Sequence, residues 1–487
     1  MNENPQYNLK SSQKLKVLIF LIISLFFCQS LSSQFYWQRL YNGPFNQQDI
    51  CIDMCSATNG NFFAVGNSKK PTTQGYFIYV LKINPYGDTI WTRIIDSVSN
   101  ETYSCAESGD GGCVIVGEGH FALKLDSVGN IVWKRFYNKG GIVCYDIIKT
   151  AEGGFLACGE QLIVSESVFR YDSYVMKLDF NGNMLWDTAY LAVFDKPLKS
   201  VVEVSGGGYI FTGYVYDSFV DTGKCLIFKI DGSGNVQWER RTKIFNRNAS
   251  GNKIEKISNQ FIVVGETSEI TLTIGKVFLL KIDSAGNFLS TKLVNSNETV
   301  RCTDFKLLNL NRFTLTSFNN VDIAKVLIID TLGNISVERS FPTQYYSFLF
   351  SIMPLSNGDI IFGGGARFTV EDADVWIIRS DSLLNFPPIG IHPNTNNLPS
   401  MYKLFQNFPN PFNPITIIKY LLSQNANVKI VVYNLLGEKI EVLMEQDMNT
   451  GEHEVSFYGE NLPSGIYFYQ LHINGDPIES KKMILLK

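Results

Sequence analysis

A repeat of about fifty residues runs through most of this chain and constrains its fold more than any other feature. Each copy has a strand of alternating apolar and polar residues, then Asp-x-x-Gly-Asn or a close variant, then a second strand. The Asp or Asn that opens the turn recurs at positions 84, 126, 179, 231, 283, 330 and 381. These spacings, 42 to 53 residues, match the length of one four-stranded blade of a β-propeller.

The residues of the turn have a physical role in the hairpin. The Asp carboxylate accepts hydrogen bonds from turn amides, and the Gly adopts a positive φ angle. Calcium binding is the alternative, but calcium needs six to eight oxygens and each turn offers one carboxylate. We therefore predict tight hairpins whose key residues are Gly87, Asp126, Gly129, Asp179, Gly182, Asp231, Gly234, Asp283, Gly286, Asp330 and Gly333.

Four copies carry a tryptophan four residues after the turn glycine, and a related tryptophan lies near the N-terminus. The later copies have Ser290 and Val337 at this position. Packing between adjacent blades is the favoured role, since each buried tryptophan removes about 150–250 Å² from water. A carbohydrate-binding platform is the alternative. The residues are Trp37, Trp91, Trp133, Trp186 and Trp238.

The seventh copy lacks its last strand. Pro387 and Pro388 follow its turn, and proline is excluded from a central strand. The missing strand is found at the other end, because residues 35–42 resemble residues 131–138. We predict that residues 35–41 complete blade seven, close the ring and remove an open edge. The expected fold class is all-β, with a seven-bladed β-propeller over residues 34–385.

With Asp, Gly and Trp recurring blade after blade, the repeat resembles that of the quinoprotein-type propeller family. The fit is partial, since those repeats usually carry Thr-Gly and one more residue between the Asp and the Trp. A quinone-dependent oxidoreductase would rest on this resemblance alone.

The first 33 residues predict a secretory signal peptide. Three lysines precede an apolar run over residues 17–27, and small residues follow it. The apolar run is too short to cross a membrane, which takes about 20 residues. We place cleavage between Ser33 and Gln34. A lipid anchor on Cys28 is the alternative, although the large Phe27 precedes it where a small residue is usual.

A second unit follows a linker rich in proline and asparagine over residues 386–402. Short β-rich runs separated by turns predict a small antiparallel β-sandwich over residues 403–487. Its motif residues are Pro409, Asn410, Pro411, Phe412, Asn413, Pro414, Gly437, Gly465, Tyr467 and Lys487. The segment that carries them resembles, along its whole length, the C-terminal sorting domain of the type IX secretion system of Bacteroidetes-like bacteria.

This resemblance implies a route and a set of partners. The chain would cross the inner membrane by its signal peptide and the outer membrane by the type IX machinery. The tail would then be removed, and the protein released or attached to surface lipopolysaccharide. The net charge of −4 offers no basic face, so nucleic-acid binding is not expected.

Residues able to carry chemistry are sparse in the propeller. His120 is the one histidine of four that lies there, and we predict a surface or turn position for it. A catalytic triad or a multi-histidine metal site would have to be built on it alone. Glu118, Glu160 and Glu266 follow strand-end glycines and are candidates for a shared rim. Eight cysteines remain after cleavage, and their even number permits disulfides or buried free thiols.

We assign no catalytic, cofactor or metal residue from the sequence. The favoured function is a non-catalytic exported module that binds a glycan or protein ligand. The alternative is a secreted hydrolase or lyase with a carboxylate-based site in the propeller funnel, because paired acids can cleave glycosidic bonds.

Overall fold

The structure, a computed structural model, describes residues 36–385 and 402–487. Short segments within these ranges are not described, at positions 44, 46, 72–74, 97–100, 138–139, 166–167, 218–221, 270–271, 295–300, 310, 319–322, 344, 368–372, 408, 423–424, 436 and 450. The predicted signal peptide with its cleavage position at Ser33 and Gln34, and nearly all of the predicted linker, lie outside the described residues. The chain divides into two compact units, Met1–Ile389 and Gly390–Lys487.

The first unit is built from strands, with one 3-10 turn at Thr58–Gly60. In chain order the strands are β1 (Trp37–Tyr41), β2 (Asp49–Ser56), β3 (Phe62–Lys69), β4 (Tyr76–Ile83), β5 (Thr89–Ile95), β6 (Thr102–Glu107), β7 (Cys113–Gly117), β8 (Phe121–Leu125), β9 (Ile131–Phe136), β10 (Ile142–Lys149), β11 (Phe155–Ser165), β12 (Val168–Leu178), β13 (Met184–Tyr190), β14 (Leu198–Glu203), β15 (Tyr209–Asp217), β16 (Thr222–Ile230), β17 (Val236–Thr242), β18 (Asn248–Ile257), β19 (Gln260–Glu269), β20 (Leu272–Asp283), β21 (Phe288–Leu293), β22 (Arg301–Asn309), β23 (Arg312–Phe318), β24 (Ala324–Asp330), β25 (Ile335–Phe341), β26 (Tyr346–Pro354), β27 (Ile360–Arg367) and β28 (Asp374–Ser380).

These strands form seven antiparallel four-stranded sheets, each of which is one blade. Six blades take four consecutive strands each, beginning with β2–β5 and ending with β22–β25. The first strands of successive blades contact one another in a closed cycle, from β2 through β6, β10, β14, β18 and β22 to β26 and back to β2. They therefore surround a central channel, and the fold is the seven-bladed β-propeller that the repeat predicts. Within the described residues no helix is long and apolar enough to span a membrane.

The seventh blade joins the two ends of the propeller. Strands β26, β27 and β28 come from the last repeat, and β1 supplies the outermost strand. The pairing of β1 with β28 is antiparallel, with Trp37 opposite Arg379 and Tyr41 opposite Val375. Ring closure therefore depends on hydrogen bonds between segments more than 330 residues apart (379 − 37 = 342).

The hairpin turns and the tryptophans meet across the boundaries between blades. A Cβ atom added at Gly182 would lie 2.8 Å from the ring of Trp133, which belongs to the preceding blade. The indole Nε1 of Trp133 donates a hydrogen bond to the Phe180 carbonyl, at 3.2 Å. Gly182 itself has φ of +75°, a conformation that glycine adopts without strain. The same contact joins Trp37 to Gly87, Trp91 to Gly129, Trp186 to Gly234 and Trp238 to Gly286.

Val337 replaces the tryptophan in the sixth blade, and the next turn changes with it. That turn carries Leu384 in place of glycine, at φ of +60°. Leu384 is buried, and Val337 packs against the same core cluster. The turn therefore supplies the apolar side chain that the preceding blade no longer provides.

The Asp-x-x-Gly-Asn turns share one hydrogen-bond pattern. Oδ1 of Asp126 accepts the backbone N–H groups of Val128 and Asn130, at 2.9 and 2.8 Å. The Asn130 side-chain amide donates to the other oxygen, at 3.0 Å. The same pattern is found at Asp179, Asp231, Asp283, Asp330 and Asp381. Both carboxylate oxygens are therefore engaged in the turn, and the described residues contain no cluster of three metal-ligating side chains.

The eight cysteines of the propeller are free and buried. Of the two alternatives that their even number left open, the structure shows free thiols, which fill the core as small apolar side chains.

The second unit is a two-sheet sandwich, as the sequence predicts. One sheet pairs β29 (Tyr402–Leu404), β30 (Ile415–Leu422) and β33 (Gly451–Tyr458). The other has the order β32 (Lys439–Met448), β31 (Ala426–Tyr433), β34 (Gly465–Ile473) and β35 (Asp476–Leu485). Alternate residues of β34, including Tyr467 and Tyr469, enter one core with Tyr420 of β30.

Several motif residues of this sandwich hold its ends together. Phe412 is buried against Phe457, with ring centroids 5.8 Å apart. The Asn410 side chain accepts the backbone N–H of Ile484, at 2.9 Å. The Tyr467 hydroxyl donates to the Pro463 carbonyl, at 2.9 Å. The peptide bonds that precede Pro411 and Pro414 are cis.

Candidate functional site

A β-bulge interrupts the innermost strand of every blade and sets the geometry of the channel. Each bulge adds one residue to the inner strand, so that two consecutive side chains are redirected. The residues that follow the bulge form what we call the waist ring: Asp53, Ser104, Asp146, Ser200, Lys253, Asp304 and Ser351. The bulged residues themselves form the upper ring: Ile52, Tyr103, Tyr145, Lys199, Asn252, Thr303 and Phe350.

The strand-end glycines exist because of these bulges. A Cβ atom added at Gly159 would lie 1.9 Å from the Val143 carbonyl oxygen on the bulged strand. At Gly265 the distance to the Ser250 carbonyl oxygen would also be 1.9 Å. In the other blades that carry the glycine, an added Cβ would lie 1.8 to 2.1 Å from the corresponding carbonyl oxygen. The bulge turns a carbonyl toward the position of the missing side chain, so only glycine fits without moving the backbone.

The waist ring links neighbouring blades by hydrogen bonds. Oδ2 of Asp53 accepts the Ser104 hydroxyl at 2.8 Å and the Cys105 backbone N–H at 2.9 Å, both from the next blade. The Ser351 hydroxyl donates to Oδ1 of Asp53, at 2.9 Å. Further around the ring, Asp146 accepts the Val201 N–H at 3.0 Å. The polar groups of the waist ring are thus used to hold the blades together.

Lys253 balances the charge of this ring. Its Nζ lies 3.6 Å from Oδ1 of Asp304. Burial acts to lower the pKa of Lys253, but the carboxylates of Asp304, Asp146 and Asp53 outweigh it and raise the pKa above its ordinary value. Burial raises the pKa of Asp53. Lys253 therefore serves three carboxylates, and Lys306 also interacts electrostatically with two of them, Asp304 and Asp146.

A cavity of about 420 Å³ adjoins the waist ring on the side away from the upper ring. Its charged groups are paired across neighbouring blades. Lys306 donates to Glu255 at 2.8 Å, and Lys149 donates to Glu107 at 2.9 Å. Lys256 donates to the Ser205 hydroxyl at 2.6 Å. The charged side chains that line this cavity therefore bond neighbouring blades to one another.

The upper ring has a different character. All seven of its side chains are partly exposed. Tyr103 and Tyr145 meet edge to face, with ring centroids 5.2 Å apart. Nζ of Lys199 lies 3.3 Å from the centroid of the Tyr145 ring. Glu160 lies on the adjacent strand β11, and after burial its carboxylate is a further cause that raises the pKa of Tyr145. Tyr145 therefore lies near both an amine and a carboxyl group.

The surroundings of Lys199 and Glu160 shift the pKa values of both groups. Burial lowers the pKa of Lys199 to about 8, although the nearby Glu160 acts in the opposite direction. Burial raises the pKa of Glu160, and Lys199 offsets part of that effect. Lys199 makes no hydrogen bond or ion pair with the described part of the chain. Both groups are thus held closer to neutrality than they would be in water.

The three glutamates that the sequence singled out have different surroundings. Glu266 accepts the Cys302 N–H at 2.8 Å and the Asn252 side-chain amide at 3.2 Å, and burial raises its pKa. Glu160 belongs to the Lys199 cluster, whereas Glu118 is exposed. Glu160 and Glu266 therefore lie beside the upper ring, two blades apart.

Of the surface or turn position predicted for His120, the structure shows the turn, with φ of +52°. Its side chain is buried rather than at the surface. Its Nε2 lies 2.8 Å from the Tyr174 hydroxyl, which donates to Asp187 at 2.8 Å. The chain of contacts joins the second and third blades and lies within their shared core.

An aromatic ladder on β26 was missed by the sequence argument. Tyr346, Phe348 and Phe350 occupy alternate positions and remain partly exposed. Their successive ring centroids are 5.2 and 5.7 Å apart. Phe318 of the sixth blade adds an edge-to-face contact with Phe348, at 5.1 Å. The signal was present as three alternating aromatic residues in an inner strand, where the other blades have few.

Comparisons with known proteins bear on the two units unequally. Residues 406–486 match the family described as "Secretion system C-terminal sorting domain". No curated protein matches the chain. Among solved structures the chain is similar to a streptogramin B lyase (12% identity, TM-score 0.48, 70% of this chain and 97% of that one). It is also similar to YCF48 bound to a D1 peptide (11%, 0.46, 74% and 99%) and to BamB from Moraxella catarrhalis (11%, 0.39, 70% and 97%).

The structural likenesses are too distant to indicate an activity, and they add nothing to the fold that the strand pairing already gives. The sorting-domain match agrees with the motif residues and with the sandwich that carries them. The type IX secretion machinery is therefore a partner of this chain, which is exported to the outer surface or released. The C-terminal unit belongs to the type IX secretion C-terminal sorting domains.

Proposed function

We propose that the exported propeller is a non-catalytic binding module that takes a carbohydrate chain at the upper ring. The observation that supports this most is the aromatic ladder of β26. Phe348 and Phe350 stay partly exposed inside a ring of inner strands, whereas Trp133 and its counterparts are used between blades. Exposed aromatic faces in a concave site are typical of ligand recognition.

The polar groups around the ladder suit a sugar. Sugar rings have apolar C–H faces that stack on aromatic side chains, and hydroxyl edges that exchange hydrogen bonds. The upper ring places the amine of Lys199, the phenols of Tyr103 and Tyr145 and the amide of Asn252 in successive blades. A few polar groups among aromatic side chains fix the orientation of a ligand in such sites.

A glycan array probed with the mature chain, residues 34–487, tests this proposal. We expect selective binding, weakened about tenfold or more by Phe348→Ala or Phe350→Ala, since a central aromatic contact contributes above about 1 kcal/mol. Phe288→Ala is the matched control, because Phe288 is exposed on the outer strand β21. Absence of binding to the array, or equal binding by Phe348→Ala, would refute the proposal.

A secreted hydrolase or lyase is the second candidate, supported by the raised pKa values of Glu160 and Glu266. A carboxyl group whose pKa is raised is better suited to donate a proton as a general acid. Release of reducing ends from the bound glycans, lost in both Glu160→Gln and Glu266→Gln, would favour this candidate. If the glycans are still intact after long incubation, the result favours the binding module over the hydrolase or lyase.

A further inference from the structure

Lys199 differs from the other lysines of the channel. Lys149 and Lys306 each have a glutamate partner within 2.9 Å, Lys256 has a serine, and Lys253 lies among three aspartates. Lys199 has no such partner in the described part of the chain. Its amine lies 3.3 Å from the centroid of the Tyr145 ring, and the side chain is partly exposed.

A carboxyl group lies near this amine. Glu160 is on β11, the strand paired with the strand of Tyr145, and it interacts electrostatically with both Tyr145 and Lys199. Glu160 is itself buried, with 8% of its surface exposed. A desolvated lysine beside a carboxyl group has the composition of a site that forms Schiff bases.

We propose that Lys199 captures a carbonyl group of the ligand as an imine, and that Glu160 carries the protons of this reaction. The ligand class is an aldehyde, such as the open-chain form of a reducing sugar. The inference rests on the proposed function, because the upper ring holds the rest of the ligand. The capture is a covalent binding step and is reversible by water.

The reaction balances without an oxidant or a metal. The lone pair of Nζ forms a bond to the carbonyl carbon, and the carbonyl oxygen takes a proton from Glu160. The nitrogen returns a proton to Glu160, which gives the carbinolamine. The carbinolamine oxygen then leaves as water with a second proton from Glu160, while the remaining N–H proton returns to the carboxylate. The product is the imine plus one water.

The titration of the amine agrees with this role. Only a neutral amine has the lone pair that attacks a carbonyl. With a pKa lowered to about 8, a substantial fraction of Lys199 is neutral near pH 7.5. An ordinary lysine is neutral to only about one part in a thousand at that pH.

Reductive trapping tests the proposal. The mature chain is treated with glycolaldehyde and borohydride, which reduces an imine to a stable secondary amine, and the modified lysines are located by mass spectrometry. We expect Lys199 to be modified at least tenfold faster than the exposed Lys292 at pH 7.5, with a rate that rises to a plateau above about pH 8. Modification of Lys199 no faster than that of Lys292 would overturn the proposal.

A second variant isolates Glu160. The Glu160 carboxylate raises the pKa of Lys199, so Glu160→Gln leaves the amine more often neutral. If Glu160 acted only through its charge, labelling would become faster in this variant, and its assigned role would be wrong. We expect labelling at least tenfold slower, with the melting temperature recorded to show that the variant is folded.

The two proposals fail separately. The reaction with glycolaldehyde needs no glycan, so labelled Lys199 with an empty glycan array would overturn the carbohydrate proposal alone. Glycan binding with unlabelled Lys199 would overturn imine formation alone. Lys199→Arg identifies the reacting residue, because it keeps the positive charge over Tyr145 and removes the nucleophile.

Discussion

The waist ring and the upper ring come from consecutive residues of the same seven bulges, yet their contacts differ. Side chains of the waist ring bond the backbone and side chains of the next blade, as Asp53 does with Ser104 and Cys105. Side chains of the upper ring keep part of their surface exposed, and Lys199 makes no hydrogen bond to the described chain. Bonding between blades is thus concentrated in the waist ring, although Asn252 and Thr303 of the upper ring also donate hydrogen bonds to the next blade.

Gly159→Ala tests the β-bulge that produces both rings. The added methyl group would lie 1.9 Å from the Val143 carbonyl oxygen, so the bulge itself has to move. We expect the propeller to lose more than about 3 kcal/mol of unfolding free energy, measured by urea denaturation of the mature chain. Gly232→Ala is the control, since no atom lies within 4 Å of its added Cβ. Equal effects would show that the bulge is not constrained by its glycine.

Lys253→Met tests cohesion in the waist ring. Three carboxylates lose the cation that they share, although Lys306 remains near Asp304 and Asp146. Removal of one partner from a buried charge set costs about 3 kcal/mol. The loss should shrink as the pH falls from 7 to 5, because the pKa of Asp53 is already raised and protonation relieves the unpaired charge. Lys292→Met on the exposed outer strand should change stability by less than about 0.5 kcal/mol. A loss independent of pH would contradict this account.

In the wild-type protein, the pH dependence that comes from Lys253 should lie at high pH rather than between pH 7 and 5. Because its folded pKa is raised, the contribution of its ammonium is complete below the ordinary lysine value of about 10.4 and is lost only at higher pH. Between pH 6 and 9, titration of Lys253 should therefore not change the stability of the wild type.

Ser104→Ala should have a smaller effect within the same ring. It removes one donor to Asp53 at 2.8 Å and one acceptor for the Ile147 N–H at 3.4 Å. The expected loss is about 1–2 kcal/mol by urea denaturation, the cost of buried polar groups left without a partner. Ser290→Ala on the exposed outer strand β21 is the control. No difference between the two would mean that the inter-blade bonds contribute little.

Phe350→Ala should have the smallest effect on stability. Phe350 belongs to the upper ring and is already partly exposed, so we expect less than about 1 kcal/mol. Glycan binding should nevertheless fall, as proposed above. If Phe350→Ala destabilises the propeller as much as Lys253→Met, the upper ring is also structural and the contrast between the rings is lost.

The outline of the fold follows from the sequence because the repeat is regular. A period of about fifty residues with a hairpin in each copy predicts blades, and the strands Ile415–Leu422 and Gly465–Ile473 of the sandwich match the alternation of their residues. The strand-end glycines were visible as well, but their cause was not. It depends on a carbonyl of the neighbouring strand, which no local pattern reveals.

The candidate site was predictable only in part. Glu160 and Glu266 stood out because they follow strand-end glycines, and both lie beside the upper ring. Lys199 and Tyr145 did not stand out, because nothing in their own segments marks them as bulged residues. The burial of the His120 side chain was not predictable for the same reason, since it depends on Tyr174 of the next blade.

The number of blades, the turns and the sorting domain could be predicted from the sequence alone, because each of these depends on residues close together in the chain. Which residues meet in the channel depends on the closed ring. Each of the two rings has one residue from each of seven segments, which are spread over about 300 positions from Ile52 to Ser351. Closure of the ring brings Lys199, Glu160 and the aromatic ladder of β26 together around the upper ring.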